Sequence, residues 1–185
     1  MRPPSVHSDQ PVDRTPNGSG ASSAGCSGGQ GASGRLNLLL SYAGWEQDAW
    51  VDHLPRLLEP IGVSSFRAGT GRQASEVIRS VPIHIAVVDL GLPLDASGGR
   101  SEEIAEGGTR LLELLSRLPE PPPTVVVKRS RTHRDDLREI SAALRAGAFA
   151  VVDRPRGTGD LNLMLEVMRR CLTRFYQGRW PTNVI

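Results

Sequence analysis

Several polar side chains directly follow short apolar runs of the chain, where the end of a buried strand would place them. An aspartate carboxylate can act as a nucleophile or bind a cation. An arginine can hold a carboxylate or a phosphate with two parallel hydrogen bonds, and a hydroxyl can hydrogen-bond an anion. The candidate site therefore consists of the side chains of Asp89, Arg154, Ser41, Tyr42, Ser130 and Thr132.

The apolar runs predict five strands, and each is followed by a segment with helical periodicity. The strands are expected at residues 36–40, 63–68, 84–89, 124–127 and 149–152. The helices are expected at residues 46–60, 72–80, 111–118, 137–144 and 161–175. Within the first helix Pro55 predicts a kink or a later start, and Gly147 is expected to close the fourth helix.

Apolar residues mark one face of several of these helices. In the first helix they are Trp50, Val51, Leu54, Leu57 and Leu58. In the fourth they are Leu137, Ile140, Ala143 and Leu144. In the last helix Cys171 lies on the apolar side and is expected in the core.

This alternation predicts an α/β fold of the three-layer, doubly wound (βα)5, flavodoxin-like type, with a parallel five-stranded sheet between helices. Residues 85–88 and 125–127 are continuously apolar, as expected for strands that are buried on both faces. In such folds the functional site lies beyond the carboxyl ends of the strands, where the strand order reverses. The candidate side chains are therefore expected to meet at one edge of the sheet.

The composition limits the class of protein. The chain has 185 residues, with 22 basic and 20 acidic side chains and a formal net charge of +2, which is too balanced for a protein that coats nucleic acid. Its two cysteines predict neither a disulfide framework nor a cysteine-built metal site. No apolar run approaches the ~18 residues of a transmembrane helix, and no secretory signal is recognised. We expect a cytoplasmic protein without membrane or nucleic-acid partners.

The domain organisation follows from changes in composition along the chain. Residues 1–34 are rich in Gly, Ser and Pro, which predicts a disordered tail. Residues 35–177 are expected to form the domain, and residues 178–185 a short C-terminal extension. Residues 94–107 contain four acidic side chains. We interpret them as a solvated insertion, and the alternative is a lid that lends a carboxylate to a metal.

Three segments resemble the receiver domain of bacterial two-component response regulators. Residues 87–93, VVDLGLP, end a strand with Asp and place Pro four residues later. Residues 147–155, GAFAVVDRP, have Gly-Ala before the fifth strand and a basic residue with Pro after it. Residues 68–74, AGTGRQA, resemble the turn that begins the second helix. The resemblance spans residues 36–175. It implies that Asp89 occupies the phosphoacceptor position and that residues 134–175 form a partner-binding surface.

The chain also departs from the family where phosphorylation chemistry is concerned. Phosphoryl transfer to an aspartate uses Mg²⁺. Receivers hold this ion with an acidic pair after the first strand. This chain has Ser41 and Tyr42 at those positions. The family's lysine after the fifth strand is Arg154 here, and Ser130 or Thr132 stands for the hydroxyl residue after the fourth. These departures imply a degenerate receiver without a resident metal, in which Asp89 and Arg154 form a fixed ion pair.

The sequence therefore predicts a stand-alone, atypical receiver-like domain (a pseudo-receiver) that serves phosphorelay signal transduction by protein–protein interaction. Its expected partner is a histidine kinase or a downstream regulator. No arrangement typical of nucleophilic catalysis or of a phosphate-binding loop is present, so neither enzymatic activity nor a cofactor is expected. One alternative is a phosphorylation-competent receiver with Asp89 as phosphoacceptor and Mg²⁺ as cofactor. A second is an anion or nucleotide sensor that uses Arg129, Arg131 and Arg154.

Overall fold

The structure, a computed structural model, describes residues 35–43, 49–95, 106–128 and 133–177. Five strands and five α-helices alternate along these ranges. The strands are β1 (Leu36–Ser41), β2 (Val63–Ala68), β3 (Ile85–Asp89), β4 (Thr124–Lys128) and β5 (Ala150–Asp153). The helices are α1 (Ala49–Leu58), α2 (Gly71–Ser80), α3 (Glu106–Ser116), α4 (His133–Arg145) and α5 (Thr158–Tyr176), with a 3₁₀ turn, Glu59–Ile61, after α1.

All five strands are parallel and form one sheet in the order β2-β1-β3-β4-β5. Parallel neighbours need a crossover connection, which the helices supply. The order reverses between β1 and β3, which pair with Leu40 opposite Val87. The predicted flavodoxin-like, doubly wound sheet is therefore confirmed, and its switch point lies between the carboxyl ends of β1 and β3.

Alternate side chains of each strand point to opposite faces of the sheet, so that each face carries a core of its own. The face covered by α1 and α5 buries Leu38, Leu40, Val87, Val127, Leu54, Met164, Met168 and Cys171. The face covered by α2 and α3 buries Leu39, Ala86, Val88, Ala74, Leu111 and Leu115. Beside α4, the same face buries Val126, Leu112, Ala143 and Ala148. Burial on both faces explains why the strand sequences are continuously apolar.

Three leucines that marked predicted apolar helix faces are exposed instead. Leu57 of α1 and Leu137 and Leu144 of α4 keep 48%, 57% and 50% of their surface accessible. The helix α4 lies against β4 and the edge strand β5, and a helix at a sheet edge covers less of its own apolar stripe. Ala143 of α4 is buried there.

The bounds of two helices differ from the predicted ones. The helix α1 begins at Ala49, later than the predicted residue 46, and continues through Pro55, which costs the helix one backbone hydrogen bond. The helix α3 begins at Glu106, inside the region predicted as a loop at 94–107. Within α3, Leu111, Leu112 and Leu115 are buried and Leu114 is exposed.

Gly147 closes α4 as predicted. Its φ is 91°, a left-handed conformation that favours glycine. The N–H of Gly147 donates to the carbonyl of Leu144 at 3.1 Å, and the N–H of Ala148 donates to the carbonyl of Ala143 at 3.0 Å. This pair of bonds is a Schellman cap, and it turns the chain directly into β5.

Some predictions fall on parts of the chain that are not described. The tail at 1–34, the extension at 178–185 and residues 96–105 of the predicted insertion lie outside the described residues. Among the helices that the structure describes, none combines the length and the apolar character that crossing a bilayer requires.

Candidate functional site

Asp89 is the last residue of β3 and lies at the switch point of the sheet. None of its surface is exposed. A carboxylate buried to this extent is tolerated when its charge is paired and its oxygens accept hydrogen bonds. The groups that bond to Asp89 therefore define the site.

Both carboxylate oxygens of Asp89 accept hydrogen bonds, and the donors come from loops that follow three different strands. The N–H of Gly91 donates to Oδ1 at 2.7 Å. The N–H of Ala43 donates to Oδ2 at 3.2 Å, and Nη2 of Arg154 donates to the same oxygen. Asp89 thus ties together the chain segments that leave β1, β3 and β5. We call Asp89, Ala43, Gly91 and Arg154 the Asp89 hub.

Arg154 directly follows β5 and is buried together with its partner. Its backbone N–H donates to the carbonyl of Lys128 at 3.1 Å, which fixes the residue to the end of β4. The expected ion pair between Asp89 and Arg154 is therefore present, and both members are out of solvent. Such a pair adds little net stability over apolar residues, but losing one member leaves a buried charge uncompensated.

Ser41 ends β1, is fully buried, and bonds to β3. Its hydroxyl donates to the carbonyl of Val87 at 3.1 Å and accepts the N–H of Asp89 at 3.1 Å. The side chain thereby extends the β1–β3 pairing beyond the last register pair, Leu40 and Val87. Since the one hydroxyl proton is used by Val87, Ser41 holds the backbone of Asp89 in place.

Tyr42 makes its contacts on the β2 side. Its N–H donates to the carbonyl of Ala68 at 3.1 Å, and its half-buried ring packs on the core beneath α1 and α5. Atoms of the ring lie 4.0 Å from the point where a Cβ on Gly69 would sit. The structure thus brings Ser41 to Asp89 and directs Tyr42 to the neighbouring strand.

Lys128 occupies the carboxyl end of β4 and is not among the predicted site residues, although it belongs to the strand-end segment 128–132. Its buried Nζ lies 2.7 Å from Oδ1 of Asp153, whose side chain is mostly exposed. The two residues are register partners at the ends of β4 and β5. The predicted hydroxyl donors Ser130 and Thr132 lie outside the described residues. Lys128 could have been identified as a site residue from the sequence, because it is the only lysine of the chain and follows an apolar run.

The start of α3 packs against the backbone of β3 at the hub. A Cβ on Gly108 would lie 2.4 Å from the carbonyl oxygen of Asp89 and 2.7 Å from Cα of Leu90. A Cβ on Gly107 would lie 2.5 Å from the carbonyl oxygen of Leu92. All three distances are below van der Waals contact, so this approach requires glycine. The sequence shows the Gly-Gly pair, but the predicted insertion at 94–107 includes Gly107 and so hides its place in a helix.

The described residues do not fit a Mg²⁺ site. Mg²⁺ takes oxygen ligands in near-octahedral geometry and usually binds through carboxylates. Here the oxygens of Asp89 are shared among two N–H groups and an arginine cation. Within the described ranges, no group of three or more His, Cys, Asp or Glu side chains is placed to hold a metal. The arrangement suits a static tie between loops.

Comparison with known proteins supports the fold. No protein-family model and no curated protein matches the chain. Among solved structures, the chain is similar to a CheY-like receiver domain protein from Methanospirillum hungatei, with 20% identity, a TM-score of 0.53, and 74% of this chain and 94% of that chain covered. It is similar to the HemR receiver domain from Leptospira biflexa, with 19% identity, a TM-score of 0.55, and 75% and 95% covered.

A third similar structure is the receiver domain of a signal transduction histidine kinase from Syntrophus aciditrophicus. The identity is 20% and the TM-score 0.53, with 81% of this chain and 96% of that chain covered. At identities of this size the likeness establishes the fold. The chain therefore has the CheY-like, flavodoxin-like fold of response-regulator receiver domains.

Proposed function

We propose that this chain is an atypical receiver-like domain that acts in cytoplasmic phosphorelay signalling by binding other proteins, without Mg²⁺-dependent phosphorylation and without a resident cofactor. The observation that carries the proposal is the occupation of both carboxylate oxygens of Asp89. Gly91 bonds to Oδ1, and Ala43 and Arg154 bond to Oδ2.

The occupied carboxylate argues against a phosphoacceptor role for physical reasons. In-line attack on phosphorus needs a carboxylate oxygen directed at the phosphorus atom and cations that neutralise the incoming oxygens. Oδ2 of Asp89 accepts two hydrogen bonds and Oδ1 accepts one, and none of the residue's surface is exposed to a phosphoryl donor. The position that would hold a metal-binding acid at the end of β1 carries Ser41, whose hydroxyl is bonded to Val87 and Asp89.

The test is chemical phosphorylation. The full chain is incubated with acetyl phosphate and MgCl₂, and its intact mass is recorded. We expect no phosphoryl adduct in a sample whose circular dichroism shows it to be folded. A receiver domain that reacts under the same conditions serves as the positive control.

Two matched variants make an adduct interpretable. Asp89→Asn removes the candidate phosphoacceptor, and Asp95→Asn removes an exposed carboxylate on the same β3–α3 connection. An adduct that needs Mg²⁺, disappears in Asp89→Asn and persists in Asp95→Asn would overturn the proposal and establish a working phosphoacceptor. An adduct that persists in both variants would lie elsewhere and leave the role of Asp89 as proposed.

The proposed partner surface is formed by α4, β5 and α5. Both helices contact β5, which is an edge strand. Large apolar side chains are exposed on the two helices, namely Leu137, Leu144, Leu163 and Phe175. Exposed apolar groups of this size are a common feature of protein-binding sites. A histidine kinase or a downstream regulator is the proposed partner.

Arginine substitutions test this surface. Immobilised wild-type chain, Leu163→Arg on α5 and Leu57→Arg on α1 are compared for the proteins they retain from the native cells, with and without acetyl phosphate. We expect the wild-type chain and Leu57→Arg to retain the same proteins in equal amounts, whether or not acetyl phosphate is present. We expect Leu163→Arg to lose this retention. Retention that depends on acetyl phosphate, or that is lost in Leu57→Arg alone, contradicts the proposal.

Anion sensing is the remaining alternative. A ligand that binds the native state raises the melting temperature. We expect inorganic phosphate and ATP to change the melting temperature of the wild-type chain by no more than they change that of the variant Arg156→Met. This variant lacks an exposed arginine next to the site. A rise that is abolished by Arg154→Met would favour the sensor.

A further inference from the structure

His84 lies at the amino end of β3, on the edge of the sheet opposite Asp89. The N–H of Asn37 donates to Nδ1 of His84 at 2.9 Å. The N–H of His84 donates to the carbonyl of Asn37 at 2.9 Å. A backbone N–H can only donate, so Nδ1 must be unprotonated and the neutral ring carries its proton on Nε2.

His84 also anchors the end of α5. Tyr176 is the last residue of that helix, and its hydroxyl donates to the carbonyl of His84 at 2.5 Å. The two rings meet edge to face, with centroids 6.4 Å apart and an angle of 73° between their planes. Asn37, His84 and Tyr176 therefore form one connected unit, the His84 latch, which joins β1, β3 and the carboxyl end of α5.

We propose that the His84 latch is a pH-sensitive device, and that protonation of Nδ1 releases the carboxyl-terminal end of α5 from the sheet. A protonated Nδ1 would place its hydrogen against the N–H of Asn37, with two donors facing each other. The ring can relieve this conflict only by turning away from Asn37. That movement removes the edge-to-face contact between the rings of His84 and Tyr176.

The surroundings of His84 favour the neutral ring. Burial lowers the pKa of His84 below its ordinary value. The side chain of Asn37 is neutral, and its Nδ2 donates to the carbonyl of Pro82 at 2.8 Å. On α5, burial raises the pKa of Tyr176, and Cys171 and Glu120, which lies in the α3–β4 connection, raise it further. Among the described residues no carboxylate forms an ion pair with His84.

The direction of the pH effect follows from the lowered pKa. As pH falls below the ordinary histidine pKa of ~6.5, the unfolded chain takes up the proton before the folded chain does. The free energy of unfolding therefore declines below that pH, and it stops declining once His84 is protonated in the folded state. The latch contributes its full stabilisation at neutral and higher pH.

Two measurements on the full chain test the proposal. The ¹⁵N shifts of the His84 ring report the tautomer, and we expect the Nε2–H form at pH 7.5. Hydrogen–deuterium exchange, corrected for the intrinsic rate at each pH, reports the backbone of residues 168–177. We expect severalfold lower protection of this segment at pH 5.5 than at pH 7.5, with a smaller loss of protection in the central strands.

Variants separate the latch from general acid effects. In His84→Gln a side-chain oxygen can accept the N–H of Asn37 at either pH, so the protection of α5 should no longer depend on pH. His53→Gln replaces an exposed histidine of α1 and should keep the wild-type dependence. An Nδ1–H tautomer at pH 7.5, or an unchanged pH dependence in His84→Gln, would overturn the proposal. If His84→Gln does not fold, the tautomer measurement on the wild-type protein still tests the proposal.

Discussion

The hydroxyl of Ser41 accepts the backbone N–H of Asp89 at 3.1 Å and so joins the ends of β1 and β3 across the switch point of the sheet. Ser41 stands where the family that this chain resembles has a metal-binding acid. The serine makes the junction with uncharged hydrogen bonds that need no cation. Ser41 and Asp89 thus form a hydrogen-bonded joint between β1 and β3.

Replacing Ser41 by alanine tests that joint. Ser41→Ala leaves the N–H of Asp89 and the carbonyl of Val87 buried without their partner, and we expect the free energy of unfolding to fall by about 1–3 kcal/mol. Urea denaturation measures the change. Ser80→Ala, which removes an exposed hydroxyl at the end of α2, should change stability by less than ~0.5 kcal/mol. If the two variants lower the free energy of unfolding equally, the hydrogen bonds of Ser41 contribute no more to stability than an exposed hydroxyl does.

Removing Arg154 leaves the buried carboxylate of Asp89 without its cation. We expect Arg154→Met to lower the free energy of unfolding by about 3–5 kcal/mol, the usual effect of breaking a buried ion pair. The double variant Asp89→Asn/Arg154→Met should be less destabilised than the sum of the two single variants, because the residues are in contact. Additive losses, or a loss for Arg154→Met no larger than for the exposed Arg156→Met, would argue against a coupled pair.

The glycine at the start of α3 is expected to be sensitive to a single added methyl group. In Gly108→Ala the new Cβ meets backbone atoms of Asp89 and Leu90, and we expect a loss of about 1–3 kcal/mol from overpacking. Gly159→Ala is the matched control, because no atom lies within 4 Å of its Cβ position in the first turn of α5. It should stabilise the protein by up to ~1 kcal/mol. Thermal unfolding of both variants is decisive, and a neutral Gly108→Ala would contradict the close approach.

The thiol of Cys171 is expected to be unreactive in the folded chain. Burial raises the pKa of Cys171 to about 12, and the thiolate is the reactive form. In a Cys26→Ser background, iodoacetamide at pH 8 should modify Cys171 rapidly in urea and very slowly without it. Modification of the native protein at the rate of the unfolded chain would mean that the core beneath α5 opens readily.

Much of the fold could be predicted because it depends on local patterns. The apolar run of β3 and the alternation of strands with helices specify a parallel sheet, since parallel strands need helical crossovers. Gly147 was identifiable because one left-handed residue ends α4. The exposure of Leu137 and Leu144 was not predictable, because periodicity marks an apolar stripe without showing how much of it a sheet edge covers.

The sequence by itself determined that an acid, a serine and an arginine stand at the carboxyl ends of β3, β1 and β5. Only the tertiary structure decided how they bond. The donors to Asp89 include Ala43, which is 46 residues away along the chain, and Arg154, which is 65 residues away. Contacts over such separations depend on strand twist, register and the path of the loops, which no local pattern encodes. The pairing of Lys128 with Asp153 likewise became visible only once β4 and β5 were placed in register.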